Sequence, residues 1–471
     1  MEANDPKIGD LISELPEDLR GSAEEKAGLE RMLDALTHRP APTGRVLRMW
    51  CLGSLQAKLA AAYGLAWLRG SFTGTERKAQ LKNEAHYRGA LRTLAGMGYM
   101  RGAMTKLGQV MSSYPQVTPK QYVETLRALH FEAPPMHFSL LREYLRGELG
   151  ADPEDVFAEF DRKALAAASL GQVHRARLKT GEDVVVKVQY PGIAKTIHGD
   201  FANLRLLLAP MRLMRDWDAT MAQLEEIERV LTLETDYAAE LANAEEVRSE
   251  LSGLEDVIVP RMYPEHSTPH VLTMEHLPGV HVQDFMRSRP AQSLRNRHAA
   301  QIFRATSRLF HSGRMLAADP NPGNYLFLPD GRLGLIDFGC LRRLDPDEQE
   351  TVNLGYTNPL DSEQAASVLL QRCHLLSETE MADSERLRIL REVHAWYWQP
   401  LTIDGEFDFS DPEHLRRGFE SSWSILRRRY HKAMPVLTWM NRTFCGTRAM
   451  AYLLQAKVNL AQIDREELER A

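Results

Sequence analysis

Cysteine is scarce in this chain: Cys51, Cys340, Cys373 and Cys445 stand far apart, with no C-x-x-C pair among them. That scarcity excludes a disulfide-stapled scaffold, and with no signal-like N-terminal stretch it leads us to expect a reducing cytoplasm. Long apolar runs are lacking too. A bilayer core requires about 20 consecutive apolar residues. The most apolar stretch, Trp50 to Leu68, is interrupted by Gln56 and Lys58 and bounded by Arg48 and Arg69. It reads as an amphipathic helix, packed on a core or lying at a lipid surface. The segment from Met434 to Leu460 carries Arg442, Arg448 and Lys457, so we expect a soluble protein or one peripheral at the inner membrane face. Basic charge is not in excess: 58 Lys and Arg against 64 Asp and Glu give a net charge of −6. No general basic field is offered to phosphate backbones, and we expect no nucleic-acid partner. Internal repeats and low-complexity tracts are absent as well. What remains is 471 residues at 44% hydrophobic and 26% charged content, enough for a substantial core and long for a single layer-built domain.

The chemistry concentrates near the middle of the chain. Asp319 stands in LAADPNPGN, Asn324 follows in the same loop, and Asp337 stands in the apolar-flanked LGLIDFGC. A carboxylate, an amide oxygen and a second carboxylate are hard-oxygen ligands suited to magnesium and a polyphosphate. In kinase-type phosphoryl transfer Asp337 would be the main metal ligand, Asn324 the second, and Asp319 the base that orients a hydroxyl or water. Leu333, Leu335 and Ile336 read as a short buried strand, and Asp330-Gly331 as the turn before it. The bland alternative is a turn with Asx hydrogen bonds.

Upstream, VVVKVQY places Lys187 in a β-branched run, the setting of a lysine that holds nucleotide phosphates and pairs with a helix carboxylate. An edge-strand lysine pointing to solvent is the alternative. Candidate partners are Glu234, Asp236 and Glu240, in the helical run from Met221 to Leu251. Ahead of the lysine, where an ordinary kinase has a glycine-rich cover, stands ALAAASLGQVHRA from Ala164 to Ala176. Ala167, Ala168 and Ser169 in it are read as nucleotide-binding. Alanine penalises positive φ, so this loop should be stiffer than a glycine loop. A small-residue helix face is the alternative.

Together the alanine-rich loop, VVVKVQYPGI, ETDY at Glu234 to Tyr237, DPNPGN and DFG resemble the UbiB family of atypical kinases, which includes the AarF proteins. A further family motif, K-x-G-Q, stands as Lys106-Leu107-Gly108-Gln109. The resemblance implies an α+β, bilobal protein-kinase-like fold, with a small β-containing N-lobe, a helical C-lobe and an added N-terminal helical extension. It implies ATP and Mg2+ as cofactors, Lys187 pairing with Glu240, Asp319 as catalytic aspartate, and Asn324 and Asp337 on metal. Lys106, Gly108 and Gln109 would form a clamp with Glu234 and Asp236 that partly closes the site to a protein substrate. Many members read H-A-D-P-H-P-G-N where this chain has Ala317 and Asn321, so any bracing by those histidines is expected to be lost.

The expected organisation is a weakly ordered acidic lead (1–43), the helical extension (44–150), the N-lobe (151–279) and the C-lobe (280–471). DVIVPRMY and HVLTMEHLPG read as two strands before a hinge at Met274 to Leu277, with Glu275 and Leu277 facing adenine. His266 and His270 read as unliganded loop residues, and Cys340 as a buried inert thiol. Arg427 to Arg429, with His431 and Lys432, read as a solvated helix end or an anionic contact. The leading function is an atypical kinase or ATPase with a small-molecule or lipid-pathway substrate, supporting ubiquinone or related lipid metabolism. A nucleotide-gated scaffold and a small-molecule phosphotransferase are the competing classes, and a homodimer is left open.

Overall fold

The computed structural model describes residues 136–471, apart from 169, 209–216, 318–320, 358–382, 415, 419 and 421–434. They divide into two compact units. The first runs to Tyr237 and includes Glu265–Thr273; the second comprises Ala238–Pro264 and Met274–Ala471. The chain thus passes between units beside the hinge expected at Met274 to Leu277, a few residues before the expected lobe boundary at 279/280. The kinase-like α+β class stands, with a small antiparallel sheet in one unit and mostly helix in the other.

In chain order come α1 (Phe138–Leu149), β1 (Glu159–Phe160), β2 (Ala166–Ala168), β3 (Gly171–Arg177) and β4 (Asp183–Gln189). Helices α2 (Ile193–Leu208), α3 (Trp217–Leu233) and α4 (Tyr237–Glu250) follow, then β5 (Val257–Ile258) and β6 (Val271–Glu275). The first sheet has the order β1-β3-β4-β6, with β2 also paired to β3. Gly150 closes α1 in the left-handed region at φ 77°, its N–H donating to Arg146 O at 3.0 Å. On β4, Val184, Val186 and Val188 are wholly buried on one face, which puts Lys187 on the other by the two-residue period of a strand.

The alanine-rich stretch is neither a helix face nor an open loop. Ala166 to Ala168 pair with Val173 to Gly171 in a hairpin, and Leu170 in its turn is buried against Ile193, Ile197 and Phe201 of α2. Gly171 is required by close approach: a Cβ there would lie 2.2 Å from Val188 O on β4. The long helical run expected from Met221 to Leu251 is also broken. Thr235 Oγ1 donates to Thr232 O at 2.7 Å, offering the backbone a turn in place of the helix, so Glu234 and Asp236 fall between α3 and α4.

The second unit continues with α5 (Val282–Arg287), α6 (Gln292–His311), β7 (Met315–Ala317), β8 (Tyr325–Phe327), β9 (Leu333–Leu335) and β10 (Leu341–Arg343). Then come α7 (Pro346–Thr357), α8 (Ser384–Thr402), β11 (Phe407–Asp408), α9 (Pro435–Leu453), β12 (Lys457–Val458) and α10 (Leu460–Leu468). DVIVPRMY is divided: its strand β5 pairs in parallel with β9 in the order β5-β9-β8, while Met262 makes an isolated antiparallel bridge to Met274 of β6. Gln301 of α6 holds that arrangement, its Nε2 donating to Asp256 O at 3.1 Å and Gly331 O at 3.0 Å. Gly331, at φ 82°, makes the expected turn. Around them the core packs Phe285 on Phe327 at 4.6 Å, with Ile302, Leu333, Met450 and Leu454 wholly or almost wholly buried.

The Met434 to Leu460 segment folds largely as α9, and no described helix is long and apolar enough to cross a membrane. Helix α6 is bound to α10 by buried polar contacts. Ser307 Oγ donates to Asp464 at 2.8 Å, His311 Nε2 lies 3.0 Å from the same carboxylate, and Arg308 Nε donates to Glu467 at 2.6 Å.

Gly171→Ala is expected to destabilise the fold by about 1–3 kcal/mol through overpacking. Gly147→Ala on α1, where an added methyl meets nothing within 4 Å, is expected to be neutral or stabilising; denaturant unfolding of both variants checks this. Burial holds the His394 and His414 imidazoles at about 4, well below their ordinary value, with Arg448 and then Arg417 also lowering His414. The unfolded chain therefore takes up protons first, so stability present above about pH 6.5 is lost as pH falls towards 4. Thermal unfolding across that window should show the decline, and His394→Leu should make it shallower.

Candidate functional site

In the first unit, Lys187 is half-buried on a strand flanked by β3 and β6, which removes the edge-strand reading. Its ammonium lies 5.0 Å from the centre of the Tyr237 ring, over the face, an electrostatically favourable seat for a cation. Gln189, two residues on, donates from Nε2 to Thr235 O at 2.7 Å, and Tyr237 N–H donates to Pro269 O at 3.3 Å. The strand that bears the lysine is thereby tied to the turn that bears Glu234 and Asp236. The hairpin of β2 and β3 is fastened as well, since Tyr190 N–H donates to Leu170 O at 3.0 Å.

In the second unit, strand register brings the backbone positions of the expected metal ligands next to each other. Tyr325 pairs with Leu335, so the next rung sets Asn324 opposite Ile336, and Ile336 N–H donates to Asn324 O at 3.1 Å. Asp337 is the following residue. Both side chains are half-buried, and the Asp337 carboxylate is held in a turn by Gly339 N–H at 3.1 Å. The Asx hydrogen bond of the bland alternative is thus present at Asp337. No group of three or more His, Cys, Asp or Glu side chains among the described residues could hold a metal ion. One amide and one carboxylate oxygen still fit magnesium, which keeps water and phosphate oxygens among its ligands and is bound by only one or two carboxylates.

The missing loop histidines are partly replaced. Asn321 Oδ1 accepts from Gly323 N–H at 3.0 Å and its backbone oxygen from Asn324 N–H at 2.9 Å, so an asparagine braces the turn. Ala317 is held by its backbone, whose oxygen accepts from Thr443 Oγ1 at 3.0 Å. Glu240 is buried at 1% exposure in the first turn of α4, in the second unit.

The expected hinge residues are already engaged. Glu275 N–H donates to Arg261 O at 2.9 Å, and its carboxylate accepts from Arg261 N–H at 3.1 Å. Leu277 is buried, packed so tightly on β9 that a Cβ at Gly334 would lie 2.8 Å from its Cδ1. Ala167 and Ala168 are on β2. Asp319, Ser169, Lys106, Gly108 and Gln109 lie outside the described residues, as do residues 1–135 generally, Cys51, Cys373 and the basic run at 427–432. His266 packs beside Phe157, His270 Nδ1 lies 3.1 Å from Glu148 Oε1, and Cys340 is a buried free thiol.

Sequence reasoning missed Asn243. It is buried three residues after Glu240 and donates from Nδ2 to Phe338 O at 3.0 Å, inside the DFG triplet. Its Oδ1 accepts from Arg343 Nη2 at 3.1 Å, and Arg343 also pairs with Glu246. The i, i+3 spacing from Glu240 on a helix was the available signal.

The sequence model of the ABC1 atypical kinase-like domain matches residues 128–365, half of the chain. Among curated proteins, Activity of BC1 complex kinase 8 of Arabidopsis thaliana chloroplasts is 36% identical over 52% of this chain and 33% of its own length. AarF domain-containing protein kinase 1 of Xenopus laevis is 31% identical over 68% of this chain and 59% of its own. The mitochondrial atypical kinase COQ8 of Saccharomyces cerevisiae is 28% identical over 94% of this chain and 88% of its own. The match thus spans between a third and three fifths of the first two of these relatives, and most of the third. A solved structure described as the Rv3197-erythromycin complex from Mycobacterium tuberculosis shares the fold, with a TM-score of 0.58 at 22% identity over 83% of this chain and 98% of that one.

Asn243→Ala should cost about 1–3 kcal/mol by leaving Phe338 O unsatisfied. Asn243→Asp keeps the acceptor for Arg343 but loses the donor, so it should be no better than alanine in denaturant unfolding if the tie to the DFG backbone is what counts.

Proposed function

The chain belongs to the ABC1 atypical kinase-like family, the UbiB family, and from that premise we propose that it binds Mg-ATP and acts as an atypical kinase or ATPase in isoprenoid-quinone or related lipid metabolism. The observation that carries the nucleotide part is the register of β8 and β9, which brings Asn324 and Asp337 to neighbouring positions at one end of a hairpin. An amide and a carboxylate carried on neighbouring backbone positions suit a magnesium site that leaves the remaining positions to phosphate and water.

When bound, the magnesium nucleotide supplies charge neutralisation and the transferable phosphoryl group. Asp337 and Asn324 would hold the metal. Lys187 would hold phosphate oxygens, with Glu240 fixing its direction. Asp319 would orient the acceptor hydroxyl or water and take its proton. Ala167, Ala168 and Ser169 would face the phosphates from a hairpin that Leu170 holds down, a stiffer cover than glycine allows. Lys106, Gly108 and Gln109 would clamp Glu234 and Asp236 and bias the site towards small acceptors. The lipid-pathway assignment rests on family membership and on the yeast relative, and contact with a membrane would be peripheral.

A nucleotide-gated scaffold is the second reading, favoured by the alanine strand in place of a glycine loop. ATP is expected to raise the unfolding temperature of the full chain only when magnesium is present. Asp337→Asn should abolish that magnesium dependence and lower phosphate release on the order of 10²-fold. Nucleotide binding without phosphate release, with every quinone precursor or phenol tried, would favour the scaffold.

A further inference from the structure

Two hydrogen bonds of the second unit meet on one peptide group. Phe338 O accepts from Asn243 Nδ2 at 3.0 Å, and Gly339 N–H donates to the Asp337 carboxylate at 3.1 Å. That carbonyl and that N–H belong to the same peptide unit, a rigid plane whose two polar groups point in opposite directions and turn as one piece. Asn243 on α4 therefore grips one edge of the plane and the Asp337 carboxylate the other. Donation to the carbonyl also polarises the amide, which strengthens its bond to the carboxylate. Without the asparagine little opposes rotation of the plane, because the rotation falls on the φ of Gly339 and glycine accepts either sign of that angle.

The gripping side chain has to be an amide. Its Nδ2 gives to Phe338 O while its Oδ1 takes a hydrogen bond from Arg343 Nη2 at 3.1 Å, and the two partners together fix which way the amide faces. An aspartate would offer the carbonyl no donor, and an alanine would serve neither partner. Asn243 and Phe338 are both buried, so water competes little for the bond between them. Arg343 also pairs with Glu246, three residues further along α4, but those side chains are 54% and 41% exposed. In that setting the ion pair itself contributes little. Its effect is to keep Arg343 over the asparagine. Arg343 lies on β10 opposite Met315 of β7, with Leu341 opposite Ala317. This short ladder joins the strand that follows the DFG triplet to the strand that precedes Asp319 in the chain.

We propose that Asn243 is a positioning residue for the metal: by fixing the Phe338–Gly339 peptide it aims the Asp337 carboxylate, and α4 thereby sets how tightly magnesium is held. That role rests on the proposal that Asp337 is a metal ligand. A carboxylate pinned at one oxygen meets the ion in a defined direction. One released from its turn has to be ordered by the ion, and the ordering is subtracted from affinity.

The test titrates magnesium at fixed ATP on the full chain, read as a rise in unfolding temperature. A second readout needs neither metal nor nucleotide: Cys340, a buried free thiol two residues beyond Phe338, is labelled with N-ethylmaleimide and its modification followed by mass spectrometry. Asn243→Ala should need roughly tenfold more magnesium for half of the rise, reach a similar rise at saturation, and label several-fold faster at Cys340. Arg343→Ala, at an exposed position, should move both readouts in the same direction by a few-fold and carries the test if Asn243→Ala does not fold. Arg343→Lys keeps the charge without the fork and should fall between Arg343→Ala and the parent. Ser307→Ala removes a buried hydrogen bond elsewhere in the unit, so it should lower the unfolding temperature without moving the magnesium midpoint. A midpoint unchanged in the Asn243 and Arg343 variants, one moved as far by Ser307→Ala, or unchanged Cys340 labelling would overturn the positioning role while leaving Asp337 as a ligand. A parent with no magnesium-dependent rise would overturn both.

Discussion

Antiparallel register is the constraint on which the proposed nucleotide site rests. Tyr325 opposite Leu335 places Asn324 beside Ile336 and makes Asp337 the next residue out of the strand. A slip of one residue would set Asn324 opposite a different residue and turn one strand's side chains to the other face relative to its partner. The register is protected on three sides. Asp330-Gly331 fixes the turn, Gln301 reaches in from α6 to grip its backbone, and Leu277 packs on Gly334 where no larger residue fits. The proposed two-ligand metal site would therefore be underwritten by residues that never touch the metal.

Much of this was legible in the chain because the signals were local. The alternation around Lys187 and the D-G turn before β9 each depend on a few neighbouring residues, and the corresponding elements formed where expected. What escaped was non-local or depended on competition between similar structures. Val257–Ile258 looks like any short strand, and nothing in its own sequence says that it pairs with Leu333–Gly334 rather than with β6. The interruption between α3 and α4 follows from one hydroxyl, on Thr235, bonding backwards to Thr232 in a run that is otherwise strongly helical. The role of Asn243 was missed because its spacing from Glu240 names no partner, and that partner, the Phe338 carbonyl, is 95 residues away.

The alanine hairpin and the asparagine loop show how such a site tolerates replacement. Where a glycine loop would gain freedom, β2 gains a ladder with β3 and a buried anchor in Leu170. Where a histidine is missing, Asn321 closes the turn with its own side chain. In both places the side chain changes while the backbone arrangement is secured by another route. The expectation that bracing would be lost at position 321 looked only at the missing ring, and asparagine is among the residues best able to hold a turn.

The contacts between α6 and α10 carry an implication for how the protein is made. Ser307, Arg308 and His311 find their buried partners 157, 159 and 153 residues further along, in α10. On a ribosome the chain emerges from its N-terminus, so α6 must wait, with its polar groups and apolar face uncovered, while those further residues are made. Over that interval the nascent second unit offers an exposed helix face of the kind that chaperones cover.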